Sequence, residues 1–170
     1  MGIPLYGQNK DGNVLGNVAD GKIRGIKEVN ASTTLSKEDA GKLIVIGTAA
    51  IEVTLPSAEA GMTFEFCLKV ESTAGTTIVA GSADCFFGTV KVFSTTADQG
   101  AVMQSIDHAT AIATVASYDN FDLVHDSTTL GGHAGDTFSF TAVDSTAWLC
   151  NANLVTDGAN PGTIAVINAG

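Results

Sequence analysis

Three histidines stand where they could do chemistry. Asp107-His108 and His125-Asp126 each set a carboxylate beside an imidazole, and Asp136 follows three residues after His133. An imidazole next to a carboxylate is raw material for a general base or for a metal shell. A metal needs two or three such groups to meet in space, and nothing in this spacing requires that they do. Asp and Gly collect at β-turns for conformational reasons, so pairings of this kind arise freely at strand ends. Asp98, Asp107, Asp119 and Asp122 are oxygen donors suited to calcium at loop tips, but no EF-hand spacing links them. Cys67, Cys85 and Cys150 are odd in number and widely spaced. They form neither a disulfide framework nor a zinc motif, and they read as buried free thiols of a chain assembled in a reducing cytoplasm. No Walker loop, no G-x-G-x-x-G and no G-x-S-x-G elbow occurs, and the many Ser and Thr residues lack an adjacent base. The residues alone therefore assign no catalytic group, no cofactor and no metal ligand, and no enzyme is expected.

The elements that would position such groups are strands. In "IEVTLPSAEAGMTFEF", residues 51–66, Ile51, Val53 and Leu55 share one parity. Pro56 breaks the run, and Met62, Phe64 and Phe66 resume it. That is two half-buried strands joined by a short link. Further runs at 42–47, 76–81, 85–93, 109–117, 120–126, 136–144, 147–155 and 163–168 repeat the pattern, and the second strand of the first pair extends over 62–70. Trp148, Cys150, Ala152 and Leu154 share a face, as do Phe138 and Phe140, so both sets belong to the core. Phe86 and Phe87 are adjacent, and a strand sends them to opposite faces; one of them is expected at an oligomer interface. "TLSKEDAGK" is the one helical turn, with Ser36 as its N-cap, Glu38 and Asp39 in the first turn and Gly41 as its stop. Many short strands without a long helical period predict an all-β domain: an antiparallel sandwich, a jelly-roll or a barrel, its strand order open.

Charge divides the chain. Of 8 basic and 18 acidic residues in total, the segment up to Lys42 holds six lysines and arginines against five acids. The remainder holds only Lys69 and Lys91. An acidic body repels phosphate backbones, so nucleic acid is not an expected partner. No run approaches the ~20 apolar residues of a membrane span, so a membrane is not expected either. The opening "MGIPLYGQNKDG" has no apolar run of the secretory kind, and Tyr6 stands where a myristoylation signal needs Ser or Thr. Residues 1–30 are rich in Gly and turn pairs and poor in large side chains, which predicts an extended arm ahead of a domain at 31–170. Ile3, Leu5 and Tyr6 form the apolar cluster at its tip, suited to filling a pocket on a partner.

Two stretches resemble a known family. "STTLSKEDAGKLIVI" followed by "AAIEVTLPSAEAGMTFEFCLKV" is similar to the opening of small head-decoration, or cement, proteins of tailed bacteriophages. The matching positions are Thr34, Leu35, Asp39, Gly41, Thr54, Leu55, Pro56, Ala60, Gly61, Phe64 and Phe66. "TTLGGHAGDTFSFTAVDSTAWLCNANLV" resembles a later part of the same family, through Gly131, Gly132, Gly135, Asp136 and Trp148. The opening "MGIPLYGQNKDG" is similar to the arms of such proteins in marine phages. Residues 82–120 match nothing in the pattern. The resemblance implies a non-enzymatic virion protein, made in the host cytoplasm. It would bind the outer capsid surface and cement neighbouring major capsid protein subunits, as a homotrimer. The other reading of such β-domains is a tail-fibre or receptor-binding module for a host surface glycan.

Overall fold

The alternation at 51–68 becomes burial as expected. Ile51, Val53, Leu55, Phe64, Phe66 and Leu68 are buried, whereas Glu52, Thr63 and Glu65 are exposed. The two strands do not pair with each other, however; they lie in different sheets. The computed structural model describes residues 25–81, 84–95, 102–106, 118–125, 130–157 and 166–168. Its strands are β1 (Ile26–Val29), β2 (Thr33–Thr34), β3 (Leu43–Ile46), β4 (Glu52–Thr54), β5 (Thr63–Leu68), β6 (Thr76–Val79), β7 (Cys85–Ser94), β8 (Val102–Ile106), β9 (Asn120–Leu123), β10 (Thr137–Ala142), β11 (Ala147–Thr156) and β12 (Ile167–Asn168). A seven-stranded sheet runs β1-β3-β5-β10-β11-β7-β8, and a five-stranded sheet runs β12-β9-β6-β4-β2. The result is the all-β sandwich that the short strands imply.

The sheets are mixed rather than antiparallel throughout. β1, β3 and β5 run parallel, as do β2, β4 and β6, and β7 runs parallel to β11. The cause is the path of the chain. Every link from β1 to β7 crosses from one layer to the other. A strand's sheet neighbour is then the next but one in sequence, and it points the same way. The antiparallel pair β10–β11 inserts between β5 and β7 as a true hairpin. Asp144 Oδ1 shapes its turn by accepting from the Thr146 backbone N–H at 2.7 Å. Period-two patterning is the same for both strand directions, so it carried no sign of this.

The core lies between the layers. Phe121, from the five-stranded sheet, packs on Phe138 and Phe140 of the other sheet, with ring centroids 4.8 and 5.3 Å apart. Phe66 stacks on Phe138 at 5.0 Å, and Trp148 meets Phe64 at 5.8 Å. Each such pair contributes about 0.5–1.5 kcal/mol beyond the area it buries. Trp148 is fully buried, and its indole N–H donates to Asp84 Oδ2 at 3.4 Å.

The arm boundary moves. Residues 26–29, read as the end of the arm, are β1, an edge strand paired with β3, and Val29 is buried. The strand is short, exposes Ile26 and carries Lys27 and Glu28, so it has no apolar alternation to find. Asp39 fixes it to the body. Its carboxylate, 4% exposed, accepts from Lys27 Nζ of β1 at 2.6 Å and from Lys42 Nζ at 2.8 Å. It also takes the Ser36 backbone N–H at 3.0 Å and the Ser36 hydroxyl at 3.1 Å. Burial alone would raise this acid; the hydrogen bonds from Lys27, Lys42 and Ser36 outweigh it and hold the carboxyl well below the usual range. The helical turn is a single 3-10 turn, Lys37–Asp39, with Ser36 at its N-cap.

Candidate functional site

The side chains that meet at one end of the sandwich come from four places in the sequence. Glu71 lies between β5 and β6, His125 follows β9, His133 precedes β10, and Asp157 follows β11. Ser72, itself buried, holds the first three segments together. Its N–H donates to the Gly132 carbonyl at 2.8 Å, and its carbonyl accepts the His125 N–H at 3.0 Å. Its hydroxyl donates to the Leu123 carbonyl at 2.9 Å and lies 2.9 Å from the Thr76 hydroxyl.

The stretch "GGHAGD" is the frame of His133. The Asp136 carboxylate accepts the backbone N–H groups of Gly132 at 2.9 Å, His133 at 3.1 Å and, across to the neighbouring strand, Val155 at 2.9 Å. Burial pushes the Asp136 carboxyl up to about 6, against the pull of those three donors and of His133. Gly132 has φ +137, and a Cβ there would lie 2.9 Å from the His125 nitrogen and 3.1 Å from Ser72 Cβ. Only glycine lets the two histidine-bearing segments approach this closely.

Within this frame Glu71, His125 and His133 present ligand-type atoms all within 4.8 Å of one another. Glu71 Oε1 lies 4.0 Å from His125 Nε2 and 3.9 Å from His133 Nε2. Asp157 Oδ2 is 3.4 Å from His125 Nε2, and its other oxygen accepts the Thr95 hydroxyl at 2.7 Å. The imidazole rings sit 5.3 Å apart. His125 is buried, His133 is partly open, and Glu71 and Asp157 are half-exposed. When protonated the rings form ion pairs with these carboxylates; when neutral they offer nitrogen lone pairs to a cation. Sequence spacing suggested Asp126 and Asp136 as the acids beside these histidines. Asp126 lies outside the described residues, and Asp136 bonds backbone rather than ring. Among the described residues, the acids that face the rings are Glu71 and Asp157, which no local motif marks.

Ile3, Leu5, Tyr6, His108, Asp98 and Asp107 are outside the described residues. Asp122 is engaged with Thr77 at 2.6 Å and Asn168 at 2.8 Å, so its oxygens serve the five-stranded sheet. Phe86 is not at an interface. It is fully buried, with its ring 4.7 Å from that of Phe140, because its parity is that of the core-facing Val90 and Val92. Phe87 takes the opposite face and packs, partly buried, against Cys85 and Ala147. Its register partner Leu149 is 41% exposed; Phe93, further along β7 on the same face, is 43% exposed, and Met103, opposite Lys91, is 62% exposed. These exposed apolar side chains lie on the outer side of β11, β7 and β8, with Thr89, Lys91, Asn151 and Asn153 between them on the same face. The three cysteines are free, with Cys85 and Cys150 buried and Cys67 partly so. Burial pushes the Cys150 thiol far up, and that of Cys85 up with help from the acids Asp144 and Asp84, so neither is primed as a nucleophile. No helix among the described residues is long and apolar enough to cross a membrane. No protein-family model matches the chain, and neither a curated protein nor a solved structure does.

Proposed function

We propose that this chain is a decoration protein of a phage capsid, seated on the outer shell surface as a homotrimer and cementing neighbouring major capsid protein subunits. The observation that carries the reading is where the arm-like segment joins the body. Residues 1–24, whose opening resembles decoration-protein arms, lead into β1, an edge strand of the seven-stranded sheet. Paired with a neighbouring subunit, the segment ahead of β1 would offset the cost of its ordering by backbone hydrogen bonds. Two positions of the resemblance shape this fold: Asp39 knots β1 to the 3-10 turn, and Asp136 frames the turn before β10. The exposed apolar side chains Phe93, Met103 and Leu149 on this outer face support self-association, since three copies around an axis would cover them.

Cosedimentation with undecorated shells tests the proposal. The full chain binds; a chain starting at residue 25 keeps its fold but binds severely less. Light scattering gives a trimer, and Leu149→Arg, at an exposed site, shifts it toward monomer without lowering the monomer's stability. Virions carry hundreds of copies. A handful of copies per particle, or undiminished binding by the shortened chain, refutes the proposal; the former outcome favours a tail module.

A further inference from the structure

We propose that His125, His133 and Glu71, with Asp157 completing the set, bind a divalent transition metal of the zinc type. The metal would join the two layers of the sandwich at this end.

The donor set fits. Two imidazoles with carboxylates suit zinc, cobalt or nickel, whereas magnesium and calcium take oxygen shells. The two carboxylates would balance the charge of a dication. The distances fit as well. Donors about 2.0–2.1 Å from a tetrahedral ion lie roughly 3.3 Å from each other. The Glu71 oxygen is 3.9–4.0 Å from both histidine nitrogens, and Asp157 Oδ2 is already 3.4 Å from His125 Nε2. Bringing the Glu71, His125 and His133 donors from within 4.8 Å of one another to that spacing takes shifts of up to about 1.5 Å, within reach of side-chain rotation at half-exposed Glu71 and partly open His133.

Outer partners orient the ligands. His133 Nδ1 lies 2.9 Å from the Ala134 carbonyl. That carbonyl can only accept, so the proton sits on Nδ1 and the Nε2 lone pair faces the site. Asp157 is held through its far oxygen by Thr95. The segments carrying Glu71, His125 and His133 are locked by Ser72 without any metal, so the site is largely formed beforehand. Half-exposed Glu71 leaves an entry path. His125 extends from the five-stranded sheet, whereas His133 and Asp157 flank β10 and β11 of the seven-stranded sheet. An ion shared by them would resist separation of the layers, and binding only the folded state raises stability with free metal concentration.

The test uses the full chain without an affinity tag, stripped by a chelator and then titrated with zinc and, as a visible probe, cobalt. One ion should bind per chain, cobalt should give the absorption of a four-coordinate site, and the melting temperature should rise with free zinc. His133→Ala and Glu71→Gln should each weaken binding by at least roughly 10–100-fold, as even outer-shell changes do at metal sites. Both residues are open to solvent, so metal-free melting should be nearly unchanged. No uptake at tenfold excess of zinc and cobalt, or uptake that neither substitution weakens, overturns the proposal. Either result leaves the capsid reading standing, because that reading rests on other residues.

Discussion

Asp39→Asn should loosen β1 and lower stability in a way that depends on pH. Asp39 is the one buried acid that the structure shows gathering two lysines, from the edge strand and from the entry to β3. Asparagine keeps the shape and an acceptor for Ser36 but loses the charge that holds Lys27 and Lys42. A hydrogen bond to a charged group contributes about 1.5–3 kcal/mol. The two lysine side chains are 34% and 36% exposed, so on release they recover part of their hydration. Discounting for that leaves roughly 1–1.5 kcal/mol per bond, about 2–3 kcal/mol in all. For a chain of this length that is about a 5–10 °C fall in melting temperature. The pH dependence has a definite sign. The folded-state carboxyl lies below the ordinary value, so its contribution is complete above the unfolded value of about 3.9 and drains away as pH falls from there through the lower folded value. Asparagine does not titrate. The gap between the two proteins, measured by urea denaturation and far-ultraviolet circular dichroism, should be widest near pH 7 and shrink toward pH 3. A gap under about 0.5 kcal/mol, or one that stays constant over that range, would refute the ion-pair account.

Three further outcomes follow from the packing. Trp148→Ala removes a fully buried ring and its bond to Asp84, and should cost about 3–5 kcal/mol by circular dichroism; a loss under about 1 kcal/mol would mean the ring is not in the core. Gly88→Ala should cost about 2–5 kcal/mol or block folding: φ is +124, and a Cβ would come within 2.2 Å of the Cys150 carbonyl oxygen in the parallel partner strand. A chain starting at residue 25 should melt like the full protein, whereas one starting at 31 loses β1 and the Lys27–Asp39 bond and should melt several degrees lower; equal melting of both would remove β1 from the cooperative unit.

Much of the fold was legible because burial on one face writes a period of two. Phe64, Phe66, Phe138, Phe140, Trp148 and Leu154 sit in the core where parity put them. β1, β2 and β8 were not legible, for different reasons. β1 is half charged, β2 is two residues long, and β8 is an edge strand with polar Gln104 and Ser105 in its run. Strand direction was hidden for a deeper reason. "TLPSAEAG" has the composition of a hairpin turn, yet it spans from one layer to the other. Leu55 N–H bonds to Val79 in its own sheet, while Gly61 N–H bonds to Ala142 in the other. Small and turn-forming residues permit both paths, and only the partners waiting at each end decide between them.

The same interleaving governs which functional residues a sequence reader can find. In a chain of successive hairpins, a histidine's neighbours at a sheet end are its sequence neighbours, so Asp126 beside His125 would be the natural suspect. Here most links cross layers, and one end of the sandwich collects residues from around 71, 95, 125, 133 and 157. Glu71 and Asp157 carry no local mark because their role depends on that gathering. The frame, in contrast, was visible. Gly132 and Asp136 stood out as motif positions, and they are the residues that bring His133 up to His125 and cap its turn. Local constraints on backbone shape leave a readable trace; the convergence of side chains from distant links does not. The histidine pair therefore had to wait for the topology, although the turn that presents it did not.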